Sequence, residues 1–124
     1  MTTAWAHLPN ATHIDRVLAS LAATPELWDA AMDAAWDDAR DAAWDAAWDD
    51  ARDAAWDAAR GTARDAARDA AYNAARDAIA ALIAWDDCGV FLDMPPDAVR
   101  LVAVSGHHPA ILLLPAAIVF NPSI

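Results

Sequence analysis

The chain has 124 residues, no Lys, one Cys and a net charge of −11. That charge excludes nucleic-acid binding through phosphate contacts, which needs clustered Lys or Arg. One Cys excludes an intramolecular disulfide and fits a reducing compartment. Ala supplies much of the 58% hydrophobic content and buries little area, so one chain has little material for a large core and oligomerisation is expected.

Three parts are expected in chain order: an N-terminal segment over 1–24, a repeat helix over 25–79 and a C-terminal helical cap over 80–124. In the first, Ile14, Val17, Leu18 and Leu21 recur at helical spacing and predict a short amphipathic helix over 12–22. The N-terminal stretch lacks the charged-then-apolar targeting pattern, and cytoplasmic residence is the expectation.

Thirteen four-residue units then run from Trp28 to Ile79. Slot one is bulky: Trp28, Trp36, Trp44, Trp48 and Trp56, several Arg, Met32 and Tyr72. Slot two is Asp in eleven units, including Asp29, Asp33, Asp37, Asp41, Asp45, Asp49, Asp53 and Asp57, with Gly61 and Asn73 as exceptions. Slot three is mostly Ala, and slot four is Ala until Ile79. Ala is the best helix former and a poor strand former, so the array reads as helix. Thr24-Pro25-Glu26 supplies a capping hydroxyl, Pro at the first helical position and an acid in the first turn. Asp37–Arg40, Asp49–Arg52 and Asp65–Arg68 are acid-first i,i+3 pairs. Trp48–Arg52–Trp56 has the spacing for ring–guanidinium stacking.

The favoured architecture is all-α: one long repeat helix, with a candidate break at Gly61, flanked by a short N-terminal helix and a small C-terminal cap. Unbroken to Trp85 it would be roughly 90 Å long. In the broken alternative Gly61 caps the first helix and Thr62 with Asp65 forms a capping box for a second. Each unit turns the pattern by about 40°, so slot one winds around the helix and no heptad seam exists. Rows of bulky side chains beside rows of Ala predict Trp ridges seated in Ala grooves, of another copy or of the chain's own ends. Five Trp on a lone helix would be largely wet, an apolar surface that marks an interface.

Charge is uneven. From Glu26 to Arg60 eleven acids face three Arg, a net −8, whereas Gly61 to Trp85 balances at zero. Regularly spaced Asp could imitate a phosphate track and occupy a basic groove.

Beyond the array, Ile79, Leu82, Ile83, Val90, Phe91 and Leu92 bring in large side chains. Asp93-Met94-Pro95-Pro96-Asp97 reads as a helix stop and restart, with a short helix over 98–104 carrying Val99, Leu101, Val102 and Val104. His107-His108-Pro109 precedes an apolar segment, 110–120, read as a helix kinked or stopped at Pro115, with strand as the alternative. That run is too short to span a membrane.

Candidate chemistry gathers at Asp86, Asp87, Cys88, His107 and His108, which are zinc-ligand types without zinc-ligand spacing. Cys88 fits a small buried hydrophobe, and no orienting third group or oxyanion loop accompanies a Cys–His pair. No catalytic residue, cofactor or metal is expected.

The W-D-A-A and R-D-A-A units follow His13-Ile14-Asp15-Arg16-Val17-Leu18. They precede Ala81-Leu82-Ile83-Ala84-Trp85-Asp86-Asp87-Cys88 and Pro109-Ala110-Ile111-Leu112-Leu113-Leu114-Pro115-Ala116. Together these resemble a group of bacterial and bacteriophage-encoded proteins with Trp/Ala-rich tetrapeptide repeats, over nearly the whole chain. The resemblance implies no particular activity and no functional residues. It implies a phage or prophage setting, in a host cell or associated with a virion.

The primary functional expectation is a non-catalytic structural protein that self-assembles into a homo-oligomer or filament through Trp28, Trp36, Trp44, Trp48 and Trp56. The alternative is an acidic binding protein that neutralises a basic partner through its Asp face.

Overall fold

The computed structural model describes residues 5–38, 41–57, 60–70, 73–104 and 110–121. Its elements are α1 (Ala11–Ala23), α2 (Pro25–Asp38), α3 (Asp41–Asp57), α4 (Gly61–Ala70) and α5 (Asn73–Ala84). A 3-10 segment, Cys88–Asp93, α6 (Pro96–Val104) and α7 (Ala110–Phe120) follow. The fold is all-α, with no strand among the described residues.

The long repeat helix is not formed; the array is divided among α2, α3, α4 and α5 and folds back on itself. Trp44 and Asp77 are 33 positions apart, which would be roughly 50 Å on one helix, yet Trp44 Nε1 donates to Asp77 Oδ2 at 2.8 Å. Helix periodicity supplies the reason. Successive slot-four residues drift by about 40°, so a long helix would carry its Ala row off any one neighbour. Helices of 10 to 17 residues keep the row within one buried stripe, which tolerates a width of about 100°. Ala31, Ala35, Ala47, Ala51, Ala55, Ala63 and Ala75 are all buried, as is Ile79.

The predicted winding survives inside α3. Slot one there passes from Trp44, 3% exposed, through half-buried Trp48 to exposed Arg52 and Trp56, 74% exposed. Three steps of about 40° carry the bulky row from the core to solvent.

The junctions are specific. Thr24 ends α1: its hydroxyl and its N–H both donate to Ser20 O, at 2.9 and 2.8 Å. The hydroxyl expected to cap α2 is thus turned to the preceding helix, while Pro25 takes the first helical position. Near Gly61, Arg60 N–H donates to Ala55 O at 2.7 Å, the six-residue closure of a Schellman-type end. Gly61 is the first residue of α4, so Thr62 lies inside the helix and is not its cap. A Cβ at Gly61 would stand 3.1 Å from Cε3 of the exposed Trp56 side chain, which would have to give by a few tenths of an ångström. Arg60 then bridges onward, donating to Ile83 O at 3.0 Å and to Asp86 Oδ1 at 2.6 Å.

Two helices hold the centre. α5 touches α1, α2, α3, α4 and the 3-10 segment. α7 packs against α2, α3, α5, α6 and that same segment. α7 continues through Pro115, and residues 112–117 are buried in an unbroken run. The strand alternative and the stop at Pro115 are therefore both excluded. Trp28 meets Phe120 edge-on at 5.9 Å and donates its indole N–H to Ser20 Oγ at 3.0 Å. The N-terminal segment latches onto the end of α5, where Asn10 Nδ2 donates to Leu82 O and Trp85 O at 2.9 Å each. Gly89 lies against this latch; a Cβ there would be 2.6 Å from His13 Cδ2.

The accessible surface is 6430 Å². A compact monomer of 13.2 kDa exposes about 6400 Å². The buried residues form one hydrophobic cluster that includes Ile14, Trp28, Leu82, Leu92 and Leu113.

Candidate functional site

Slot two lies about 200° around the helix from slot four. Burying the Ala row therefore turns the Asp row outward: Asp29 and Asp33 on α2, and Asp45, Asp49, Asp53 and Asp57 on α3, are exposed. Asp37 and Asp41 belong to these helices, but their side chains lie outside the described residues. Arg52 is the basic side chain beside the α3 row, 3.6 Å from Asp49 Oδ1 and 3.6 Å from Asp53 Oδ1. The Asp49–Arg52 pair is as expected; Arg40 and the side chain of Arg68 fall outside the described residues.

Basic groups elsewhere are also matched. Arg16 reaches Asp93 at 2.9 Å, Arg64 reaches Asp65 at 3.0 Å and Arg100 reaches Asp97 at 2.7 Å. Arg60 holds Asp86, and its hydrogen bond keeps that carboxyl below the usual range. Arg76 Nε lies 4.0 Å from Asp77 Oδ1. Each described Arg thus neighbours a carboxylate, and the surplus on the surface is negative.

The five Trp singled out as a self-association set divide into different environments. Trp28 and Trp44 are buried inside the chain. Trp48 is half-buried, with the Arg76 guanidinium 6.0 Å from its ring centroid. That cation comes from α5, a partner the linear spacing did not indicate. Trp56 is exposed, and the Trp36 side chain lies outside the described residues.

Among α2, α3 and α5 is an open cleft of about 210 Å³, lined by Met32, Trp44, Asp45, Trp48, Arg76 and Asp77. Asp77 is a slot-two carboxylate that is buried rather than exposed, and Trp44 N–H anchors it. Its signal in the sequence was its own unit, Arg76-Asp77-Ala78-Ile79, where slot four turns from Ala to Ile. A large aliphatic there marks a helix covered on more than one side, so its Asp needs an internal donor.

Among the described residues, Asp86 and Cys88 do not come together as a site. The Cys88 thiol is fully buried, and desolvation raises its pKa to about 12. A neutral, enclosed thiol is a poor nucleophile and a poor ligand. Asp86 is engaged with Arg60, and His107 and His108 lie outside the described residues. Among the described residues no group of three His, Cys, Asp or Glu is placed to hold a metal ion. Nor is any described helix long and apolar enough to cross a membrane.

Comparison with protein-family models, curated proteins and solved structures gives no match.

Proposed function

We propose that this chain is a non-catalytic acidic binding module that engages a basic protein partner through the Asp-lined outer faces of α2 and α3. One observation carries the reading: the buried Ala row and the exposed Asp row are opposite sides of the same repeat, so core packing fixes the carboxylates in place. Fixed like charges raise the association rate with a basic surface and align it on arrival. The short helices limit the size of that surface. From Asp45 to Asp57 the row is only roughly 18 Å long, so it suits one basic patch rather than a long nucleic-acid groove.

The test compares variants of equal charge change. Asp45→Asn/Asp49→Asn/Asp53→Asn should weaken binding of an octa-arginine peptide at least tenfold at low salt, with wild-type binding falling as salt is added. The control Asp15→Asn/Asp93→Asn/Asp97→Asn removes the same charge elsewhere. Equal losses from both triples would reduce the effect to bulk charge and sink the proposal.

Self-association is the second reading, and exposed Trp56 is the observation that favours it. It expects a mass that rises with concentration in light scattering and returns to the monomer value in Trp56→Ala. A constant monomer mass would end it.

A further inference from the structure

We propose that Trp56 anchors the basic partner on the acidic face of α3, by stacking on one of its arginine side chains. This rests on the acidic-module reading and adds to it a position and a choice of cation.

The winding of the repeat puts the indole there. Counted around α3 from buried Trp44, Asp45 stands at about 100° and Asp49 at about 140°. Trp56, three units on, stands at about 120°, between those two directions. The bulky row that starts in the core therefore ends on the face that the Asp row opens. Trp56 follows Asp49 by roughly 10 Å along the axis, with Asp53 between them. All four side chains are exposed. At 74%, Trp56 is the most exposed large hydrophobic among the described residues.

Its neighbours support the ring without covering it. The six-membered ring borders Gly61, where a Cβ would stand 3.1 Å from Cε3 and 3.3 Å from Cζ3. The indole thus rests one edge against the first residue of α4. Arg52 has the spacing to stack on Trp56, but its guanidinium lies 3.6 Å from Asp49 and 3.6 Å from Asp53 instead. Those exposed pairs are weak and yield readily to a second cation.

Charge complementarity selects the occupant. α3 exposes Asp45, Asp49, Asp53 and Asp57 and contains one Arg. A second copy docking through the same face would set like rows against each other. A cationic side chain is instead drawn in by the carboxylates and held by the ring face. Arginine suits the place better than lysine, because its planar guanidinium stacks on an indole while its N–H groups reach a neighbouring carboxylate.

Octa-arginine and octa-lysine are titrated into the intact chain while the Trp56 indole N–H resonance, assigned by its loss in Trp56→Leu, is followed by NMR. Octa-arginine should shift that resonance and bind more tightly than octa-lysine. Trp56→Leu keeps the charge and the apolar bulk; it should weaken octa-arginine severalfold and octa-lysine much less. Trp56→Phe, which keeps an aromatic face, should recover part of the loss. Val90→Ala, an exposed apolar change on the 3-10 segment, should leave both affinities unchanged. Octa-arginine binding that falls in Asp45→Asn/Asp49→Asn/Asp53→Asn but not in Trp56→Leu would overturn the anchor and leave the acidic face standing. Equal losses of the two peptides in Trp56→Leu would overturn arginine stacking. A mass that rises with concentration and returns to the monomer value in Trp56→Leu would assign the indole to a second copy and overturn the proposal. No octa-arginine binding by the wild-type chain would sink the acidic-module reading and the anchor with it.

Discussion

Helices α3 and α7 are both core-forming, yet they are built in opposite ways. α3 buries Ala47, Ala51 and Ala55 in a narrow row and exposes Asp45, Asp49, Asp53 and Asp57 on its far side. α7 has no charged residue, and its buried run from Leu112 to Ala117 covers every direction around the axis. The small residues of α3 allow close backbone approach with little apolar area. The large residues of α7 supply the area that the array lacks. The difference shows how an Ala-rich repeat folds in one short chain: a fully apolar central helix compensates for small repeat faces, and the repeat supplies the charged exterior.

The largest effect should come from the apolar centre. Leu113→Ala removes a fully buried side chain and should cost about 2–5 kcal/mol in urea unfolding. A cost below about 1 kcal/mol would mean that α7 is not the principal source of buried area.

Next is the polar tie within the array. Trp44→Phe removes the N–H donated to buried Asp77 and should cost about 1.5–3 kcal/mol. If the loss is negligible, the fold-back of α3 on α5 does not depend on that bond.

The Ala row is tested by adding volume. Ala51→Leu, at a fully buried slot-four site, should cost about 1–3 kcal/mol by overpacking. Ala46→Leu on the exposed side of the same helix should stay within about 0.5 kcal/mol. Equal effects would erase the distinction between the two faces of α3.

The smallest effect concerns the Arg60–Asp86 tie. Its carboxyl is depressed below 3.8 by the Arg60 hydrogen bond, then opposed by desolvation. A depressed folded pKa gives stability that is present above the unfolded value and is lost as pH falls through the folded one. Asp86 is 51% exposed, so screening keeps this below about 1 kcal/mol. Arg60→Gln should flatten the acid limb of the stability curve below pH 3.8 by that small amount; an unchanged limb would remove the tie from the account.

Much of the secondary structure was legible. The expected helix over 12–22 is α1 with one residue added at each end, and the stop and restart near Pro95-Pro96 precede α6. Period four correctly implied slot-one winding, which α3 displays in its step from Trp44 to Trp56. The site was less legible. The exposed Asp row follows from periodicity, but the cleft needs Met32, Trp48 and Arg76 from three different helices. Near-identical units carry almost no information about which of them pair; Ile79 set the unit of Asp77 apart, but nothing in it named Trp44 as the donor.

The sequence alone determined that the array is helical, that slot four is small and that slot two is charged, because propensity and the mismatch between four residues and the 3.6-residue turn act locally. The candidate break at Gly61 was also legible, and α4 begins there; only the tertiary structure decided which helices of the array pair, which Trp are enclosed and which Asp is buried. Those outcomes depend on covering the apolar faces of α5 and α7 from several sides at once, a condition set across the whole chain rather than within any one unit.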